Sequence, residues 1–285
     1  YGKPSLPVPF MNILNGGVHA DNSVDIQEFM IVPHGFAKFD DGLKAGVEVY
    51  HTLKKRLKDK GLVTNVGDEG GFAPNFTSSK GVLDEIMLSI AEAGYKPSEQ
   101  ISLALDAAAS EFYTDGAYKI EGNSLTNTEM SDYLVDLTNF YPIVSIEDGL
   151  AEDDWEGWKY LTSKINDSIQ LVGDDLFVTQ EDVLQKGIDE NCGNAILVKI
   201  NQVGTITETL NTMELASKNS YASMVSHRSG ETEDSFISHL VVGTSSGQIK
   251  AGAPARSERT TKYNELLRIA ETIGFENFNN SKWQV

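Results

Sequence analysis

One pattern constrains the fold of this 285-residue chain more than any other: short apolar runs that each end in an ionisable residue. The run 195–198 contains four apolar residues, two of them β-branched, and Lys199 follows it directly. Such a run is typical of a buried strand in a parallel sheet. A buried lysine is costly unless it is paired or used, because the ammonium loses its water. A structural ion pair explains one such lysine. Five further strand-like runs end in the same way, at Asp106, Glu147, Asp174, His227 and Lys250.

The spacing of these residues predicts how the strands are connected. From Glu147 to Lys250, successive positions lie 23 to 28 residues apart. A strand, a helix and two short loops need about that much chain, because a parallel crossover takes at least about a dozen residues. Capping of the next helix remains an alternative for each of the three acids, but it does not explain lysine or histidine. A closed (β/α)8 barrel would gather all six side chains at one mouth, where the active sites of such barrels lie.

The first third of the chain departs from this period. Residues 6–14 and 25–33 are strand-like, and the turn Asn15-Gly16-Gly17 after the first run predicts an initial hairpin. Apolar residues then recur at helical spacing from residue 40, and a second helix is predicted over 80–93, ending at Gly94. The sequence therefore predicts the α/β class, a TIM-type (β/α)8 barrel that opens ββαα and continues in βα units. Such a barrel typically takes about 250 residues.

Further elements are predicted along the chain. Helices are expected at 128–139, 155–164, 179–186 and 204–218, and another is opened by residues 232–235. Trp155, Trp158 and Leu161 share one helical face, which favours core packing over a binding role. Asp115-Gly116 predicts a turn in a small excursion, with an edge strand at 118–120.

Composition excludes several classes of function. The formal net charge of −19 argues against nucleic acid or an anionic membrane as a partner, because both require basic patches. It still permits a small anionic substrate beside a metal and lysines. Cys192 is the only cysteine, so no intrachain disulfide is expected, a reducing cytosol fits, and the thiol is interpreted as structural. No apolar run approaches the roughly 18 residues of a membrane span, and no signal peptide opens the chain. Because the chain starts at Tyr1, we expect it to be part of a longer protein.

Two loops carry polar groups outside the strand pattern. In residues 64–74, three glycines surround Asp68 and Glu69, which allows sharp turns and close approach of the backbone to a ligand. A tight turn explains the glycines but not the paired carboxylates. In residues 226–236, His227, Arg228 and Ser229 precede a predicted helix, and a fork donor, a hydroxyl and backbone N–H groups suit a phosphate.

The residues at the strand ends predict a particular chemistry. Asp106, Glu147 and Asp174 supply hard oxygen ligands, which suits Mg²⁺ better than Zn²⁺. A divalent ion beside Lys250 would disfavour the ammonium of Lys199 and lower its pKa, which makes Lys199 a usable base. A base, a metal and cations together suit proton abstraction next to a carboxylate, with the metal stabilising the enediolate charge. The carboxylate of the glycine loop is then available as an acid on the opposite side of the substrate.

Six segments resemble the signature segments of the enolase family, and they occur in the same order. They are NGGVHA at 15–20, DIQEF at 25–29, NVGDEGGFAP at 65–74, SIED at 145–148, VGDDL at 172–176 and SHRSGETED at 226–234. The resemblance covers essentially the whole chain and implies that residues 1–285 form the C-terminal catalytic TIM barrel of an enolase, with the ββαα opening of that family. It implies a glycolytic lyase, a phosphopyruvate hydratase that reversibly dehydrates 2-phosphoglycerate to phosphoenolpyruvate.

The resemblance also implies a role for each matching residue. Lys199 would take the C2 proton of the substrate, and Glu69, helped by Glu28, would assist departure of the C3 hydroxyl. The implied ligands of Mg²⁺ are Asp106, Glu147 and Asp174. The implied substrate-binding residues are His19, Gln27, His227, Arg228, Ser229 and Lys250, with Lys250 on the substrate carboxylate and Arg228 and Ser229 on the phosphate. His19 and Glu28 would be weak signals without the resemblance.

One departure from the family concerns the N-terminal α+β capping domain, which is absent from these 285 residues. In full-length enolases it supplies a loop that closes over the substrate and helps to hold a second Mg²⁺. We therefore expect this chain to fold and to bind one Mg²⁺, but to turn over poorly alone. The resemblance further implies a cytoplasmic protein, with a secondary surface or secreted pool as in some enolases. The implied partners are a small phosphorylated substrate and, in the full-length protein, further copies in a dimer or octamer.

Two other interpretations are compatible with the sequence. A sister member of the superfamily, such as a racemase or lactonising enzyme, would share the barrel and the metal ligands. It would not explain the phosphate-type loop or the glycine loop. A non-catalytic scaffold or surface-binding role is the other alternative, although the tail 280–285 lacks the terminal lysine implicated in plasminogen capture by some enolases.

Overall fold

The computed structural model describes residues 2–19, 22–165 and 169–279 of the chain. Ala20 of the first signature segment and the tail 280–285 lie outside these ranges. The strands of the described residues are β1 (Val8–Asn15), β2 (Glu28–Val32), β3 (Ser102–Asp106), β4 (Tyr113–Thr114), β5 (Ala117–Ile120), β6 (Asn123–Leu125), β7 (Ile143–Glu147), β8 (Gln170–Gly173), β9 (Ala195–Val198), β10 (Ala222–Ser226) and β11 (Gln248–Lys250). The predicted excursion forms a small sheet of β4, β5 and β6.

Eight of these strands close into a barrel, in the spatial order β1-β11-β10-β9-β8-β7-β3-β2. β2 runs antiparallel to both of its neighbours, β1 and β3, whereas the other adjacent pairs are parallel. Almost every residue of the barrel strands is buried, as expected where helices cover the outer face and side chains fill the interior. The predicted α/β class, the barrel and its opening hairpin are confirmed.

Helices surround the barrel. They are α1 (Phe39–Asp59), α2 (Ser79–Glu92), α3 (Asn127–Phe140), α4 (Trp155–Lys164), α5 (Glu181–Glu190), α6 (Ile200–Val203), α7 (Ile206–Lys218), α8 (Phe236–Thr244) and α9 (Ser257–Ile273). Side-chain caps fix several starts: Ser78 accepts a hydrogen bond from Gly81 N, and Thr126 and Glu129 form a reciprocal capping box before α3. None of the helices in the described residues is long and apolar enough to span a membrane.

The structure differs from the predicted helix bounds at two places where the backbone leaves the right-handed region. α5 starts at Glu181 instead of 179, because Val178 and Thr179 have φ of 45° and 53°. The Thr179 hydroxyl instead accepts a hydrogen bond from Lys199 N at 3.0 Å. The predicted helix 204–218 starts later, as α7 at Ile206, because Gly204 has a φ of 101° and ends the separate short helix α6.

Helix α9 was not predicted. Its buried residues are Arg259, Lys262, Tyr263, Leu266 and Ala270, which follow helical spacing but begin with two cations. A stripe that starts with arginine and lysine does not register as an apolar face, so hydrophobic periodicity misses it.

Two predictions about particular side chains agree with the structure. Trp158 and Leu161 are fully buried, and Trp155 is half-buried with the Lys186 ammonium 3.7 Å from its ring centroid. Cys192 is buried, and burial raises the pKa of its thiol to about 11, which disfavours the thiolate and agrees with a structural role.

A charged contact joins α1 and α2 on the outer wall. Arg56 Nε lies 2.9 Å from Glu85 Oε1, Lys60 binds the same carboxylate, and Arg56 Nη1 lies 2.7 Å from Glu92 Oε2. Burial acts to raise the pKa of Glu85, but hydrogen bonds from Lys60 and Arg56 outweigh it, and the pKa is lowered. The negative charge of the buried Glu85 carboxylate is therefore compensated by the cations that bind it.

Candidate active site

The predicted site residues meet at the carboxyl end of the barrel. In the sheet register, Glu28 lies beside Asp106 across β2 and β3, and Asp106 lies beside Glu147 across β3 and β7. A cavity of about 310 Å³ opens there. It is lined by every predicted site residue except Glu147: His19, Gln27, Glu28, Glu69, Asp106, Asp174, Lys199, His227, Arg228, Ser229 and Lys250. A larger cavity of about 620 Å³ lies on the outer wall among α5, α6 and α7, and none of the predicted site residues lines it.

Lys250 is the buried cation at the centre of this site. Its Nζ lies 3.0 Å from Asp106 Oδ2, 2.8 Å from Glu147 Oε2 and 3.2 Å from Glu28 Oε2. Burial acts to lower the pKa of Lys250, but the surrounding carboxylates, led by Asp106 and Glu147, raise it well above its usual range. The same ammonium lowers the pKa of Asp106 against the effect of burial, whereas burial and Asp106 raise the pKa of Glu147. One lysine thus neutralises only part of the carboxylate charge around it.

Lys199 is the second lysine of the site and is more accessible, with its side chain 15% exposed. Its Nζ forms an ion pair with Asp174 Oδ2, and Gln202 Nε2 donates to the other oxygen of Asp174 at 3.2 Å. Burial acts to lower the pKa of Lys199, but Asp174 and then Glu147 raise it. The direction is opposite to the predicted lowering, which supposed a divalent cation beside these acids. The carboxylates alone hold Lys199 as an ammonium.

Asp148 organises the acids around Lys199 and was not predicted. Its two carboxylate oxygens accept hydrogen bonds from Asp174 N at 2.9 Å and Asp175 N at 2.8 Å. Asp148 itself adopts a φ of 41°, a strained conformation for a residue with a side chain. The adjacent acids of the Glu147-Asp148 pair were the available signal, but only the fold shows that Asp148 holds a backbone.

A second polar group links the glycine loop to the strands. Glu69 Oε2 accepts from Asn12 Nδ2 at 3.0 Å and lies 3.4 Å from His227 Nε2. Glu28 Oε1 lies 3.6 Å from His19 Nδ1. One ring nitrogen of His19 and one carboxylate oxygen each of Glu28 and Glu69 lie within 4.8 Å of one another. Burial and then Glu69 raise the pKa of Glu28 well above its usual range. Burial acts in the same direction on Glu69, but His227 outweighs it and the pKa of Glu69 is held well below its usual range. Of the two carboxyl groups, Glu28 is therefore the one whose environment favours the protonated form.

The phosphate-type loop also lies at the cavity. Arg228 Nη1 donates to Asn201 Oδ1 at 2.7 Å, and Arg228 N donates to Glu231 Oε2 at 3.3 Å. Ser229, the next residue, also lines the cavity. Helix α8 begins at Phe236, so the loop between Ser229 and the helix is longer than the sequence pattern suggested.

Arg259 in α9 is a further site residue that sequence reasoning missed. It is buried and contacts both polar loops of the site, through Asp68 O, Arg228 O and Ser229 O, and it donates to His227 Nδ1. The signal that could have found it is an arginine at a core-facing position of a helix that follows Lys250. That signal requires the helix to be recognised first.

The antiparallel second strand and the lysines and carboxylates at the barrel mouth together define a TIM-barrel enzyme of the enolase superfamily. Residues 3–283 match the protein family described as "Enolase, C-terminal TIM barrel domain". The match spans nearly the whole chain, and the chain therefore belongs to this family. The predicted resemblance is confirmed.

Barrels of this superfamily typically hold Mg²⁺, and the donor set at the mouth fits a hard divalent cation. Carboxylate oxygens of Asp106 and Glu147 already converge on one buried ammonium at about 3 Å, the environment that a cation requires. Within the described residues, the acids Asp148, Asp174 and Asp175 also bring ligand atoms within 4.8 Å of one another. The predicted set of Asp106, Glu147 and Asp174 is not among the groups within 4.8 Å in the described residues: Lys250 binds Asp106 and Glu147, whereas Lys199 binds Asp174.

Proposed function

We propose that this chain is the catalytic barrel of a phosphopyruvate hydratase, which dehydrates 2-phosphoglycerate reversibly to phosphoenolpyruvate. The observation that carries the proposal is that Lys199, the pair Glu69 and Glu28, and the loop at Arg228 all face one cavity. Elimination of water next to a carboxylate needs a base at one carbon and an acid at the next. A phosphate on the substrate needs a fork donor, which Arg228 supplies.

Lys199 is proposed as the base. As a neutral amine it takes the proton from C2, and the electron pair of the C2–H bond moves onto the substrate carboxylate. The C3–O bond then breaks as the double bond between C2 and C3 forms, and the hydroxyl leaves as water with a proton from the acid. When bound by Asp106, Glu147 and Asp174, Mg²⁺ would offset the charge on the substrate carboxylate and compete with the Lys199 ammonium for Asp174, which favours the neutral amine.

Glu69 and Glu28 are proposed to share the acid role. The acid must hold a proton at neutral pH, and the raised pKa of Glu28 supports Glu28 as the proton store. Glu69 accepts that proton across less than 4.8 Å and delivers it to the C3 hydroxyl. Lys250 orients the substrate carboxylate, while His19, Gln27 and His227 line the remaining wall.

Formation of phosphoenolpyruvate, followed by its ultraviolet absorbance, tests the proposal. The chain is assayed with Mg²⁺ and then with EDTA, alone and with an enolase N-terminal domain added in trans. We expect Mg²⁺-dependent turnover that Lys199→Met lowers by about 10²–10⁴-fold, the usual contribution of a general base. Lys218→Met is the matched control, since this exposed lysine on α7 pairs only with Glu214 among the ion pairs of the described residues.

The outcomes separate the competing functions. Turnover only with the added domain would support the reaction and would assign closure of the site to that domain. No phosphoenolpyruvate under either condition would contradict the proposal. In that case, exchange of the proton next to the carboxylate without loss of water would favour a sister reaction of the superfamily.

A further inference from the structure

Arg259 is an arginine with an unusual set of partners. Its side chain is buried, and its Nη1 donates to His227 Nδ1 at 2.5 Å and to Arg228 O at 2.6 Å. Its Nη2 donates to Ser229 O at 2.5 Å and to Asp68 O at 3.0 Å. Within the described part of the chain, its closest carboxylate is that of Glu258, 4.0 Å from Nε. The buried charge is therefore compensated chiefly by carbonyl dipoles and one imidazole, not by an ion pair.

The contact with His227 determines which ring nitrogen carries the proton. A guanidinium has five N–H donors and no acceptor, so His227 Nδ1 must present its lone pair to Arg259. Because Nδ1 accepts a hydrogen bond, the ring is not the doubly protonated imidazolium, and burial lowers the pKa of His227 in the same sense. Its single proton therefore lies on Nε2, the nitrogen that is 3.4 Å from Glu69 Oε2. The arginine thus places an N–H group beside the proposed acid, within 3.4 Å of its carboxylate.

The same side chain spans the two polar loops of the site. Asp68 O belongs to the glycine loop, and Arg228 O and Ser229 O belong to the phosphate-type loop. Because a trans peptide directs its N–H opposite to its C=O, the N–H groups of Ser229 and Gly230 face away from Arg259. Gly252 lies against the group, and a Cβ there would come within 2.7 Å of Glu69 O and 3.0 Å of Arg259 Cδ. The space around the arginine is therefore filled.

We infer that Arg259 is a positioning residue of this site. It sets the tautomer of His227 so that Nε2–H faces Glu69, and it fixes the separation of the glycine loop and the phosphate-type loop. Lysine cannot replace it, because an ammonium has no planar fork to reach four acceptors in two loops. The tautomer follows from the contacts alone, whereas its effect on turnover rests on the proposed function.

Nitrogen NMR of the chain labelled with [¹⁵N]histidine tests the tautomer without any assay of activity. The chain has five histidines, and His227→Gln identifies the signals of His227. We expect a non-protonated Nδ1 and a protonated Nε2 for His227 at neutral pH. A protonated Nδ1 in the unmodified chain would overturn the inference, and this measurement requires no Arg259 variant to fold.

Variants then separate positioning from simple support of the loop. Arg259→Lys and Arg259→Ala should lose the single tautomer, and methylguanidine should restore it in Arg259→Ala. The matched control is Lys262→Met, since Lys262 is also buried in α9 and holds Thr232 O of the same loop but does not contact His227. In the control the tautomer should persist. If Arg259→Lys kept the signals of His227 unchanged, the inference would be wrong.

Turnover supplies the second readout. With the loops displaced by about 1 Å, kcat should fall by about 10²-fold in Arg259→Lys, and the KM for the phosphorylated substrate should rise. If the unmodified chain and its complex with the added domain are inactive, the proposed function fails, but the NMR result still decides the role of Arg259. An Arg259→Lys variant with unchanged kcat and KM in an active enzyme would overturn the role in catalysis.

Discussion

Two regions of this barrel bury carboxylates beside lysine or arginine, and the balance between cations and carboxylates is opposite in the two. At the contact between α1 and α2, Glu85 meets both Arg56 and Lys60, and its pKa is lowered against the effect of burial. At the mouth, Lys250 faces three carboxylates, and the pKa of Glu147 is raised by burial and by Asp106. The outer contact has cations in excess of its buried carboxylate, whereas the mouth has carboxylates in excess of its cations.

The difference indicates which cluster is structural. Acids that gain enough partners on folding become more strongly ionised and stabilise the fold. Acids that are crowded together are kept partly protonated and cost stability until a further cation arrives. The mouth therefore has the electrostatics of a site that receives a cation, and the outer contact has the electrostatics of a stabilising structural ion pair.

Removal of Lys250 should have the largest effect on stability. Lys250→Met leaves three carboxylates around an apolar side chain, and we expect the free energy of unfolding at pH 7 to fall by about 3–5 kcal/mol. Urea denaturation followed by circular dichroism measures the loss. Lys60→Met is the comparison at the outer contact, where Arg56 still binds Glu85. Equal losses in the two variants would contradict the contrast between the regions.

Addition of Mg²⁺ should produce the next largest effect. A cation that binds the folded mouth stabilises it by about 2.7 kcal/mol at a free concentration 100 times Kd, and EDTA should remove the gain. Thermal denaturation with and without Mg²⁺ measures it. Asp174→Asn should reduce the gain, and Glu85→Gln should retain it. A gain of the same size in Asp174→Asn would place the cation elsewhere.

Neutralisation of Glu85 should have a smaller effect that depends on pH. Because the pKa of Glu85 is lowered on folding, its contribution is present above the ordinary pKa of a glutamate and is lost as the pH falls through the lowered value. Glu85→Gln should therefore lower the free energy of unfolding by about 1.5–2 kcal/mol at pH 7, the lower part of the range for hydrogen bonds to charged groups. Melting temperatures of the two proteins between pH 7 and pH 3 should converge at the acid end. A constant difference across that range would show that Glu85 acts through packing.

Much of the fold and most of the cavity could be predicted, because both depend on local patterns. Runs such as 195–198 are apolar for the length of a strand, and parallel topology then determines where Lys199 must lie. The hairpin was visible because Asn15-Gly16-Gly17 interrupts two strand-like runs. The strand-end residues needed only the period of the pattern and the shared direction of strands joined by helices, whereas His19, Gln27 and Glu28 were assigned through the resemblance to the enolase family.

The residues that were missed act through the backbone of distant segments. Asp148 holds the N–H groups of Asp174 and Asp175, and Arg259 holds carbonyls that lie about 30 and 190 residues earlier in the chain. No spacing rule identifies a side chain whose partner is a main-chain atom. Every residue has main-chain hydrogen-bonding groups, so the sequence does not mark which of them is the partner. The pKa of Lys199 was also beyond sequence reasoning, since its direction depends on which carboxylates lie within reach.

The reversal of β2 has a consequence for the connectivity of the whole mouth. In a barrel of eight identical βα units, the mouth receives only connections from a strand to a helix. Because β2 runs back towards the opposite end, α1 starts there and finishes near the mouth, so the turn between α1 and α2 is delivered to the active side. That turn carries Glu69, and its Phe72 is bonded to β1 at 2.9 Å through Ile13 O. One reversed strand thus brings a helix-to-helix connection to the mouth. A regular barrel has no such connection there and so could not place Glu69 in this way.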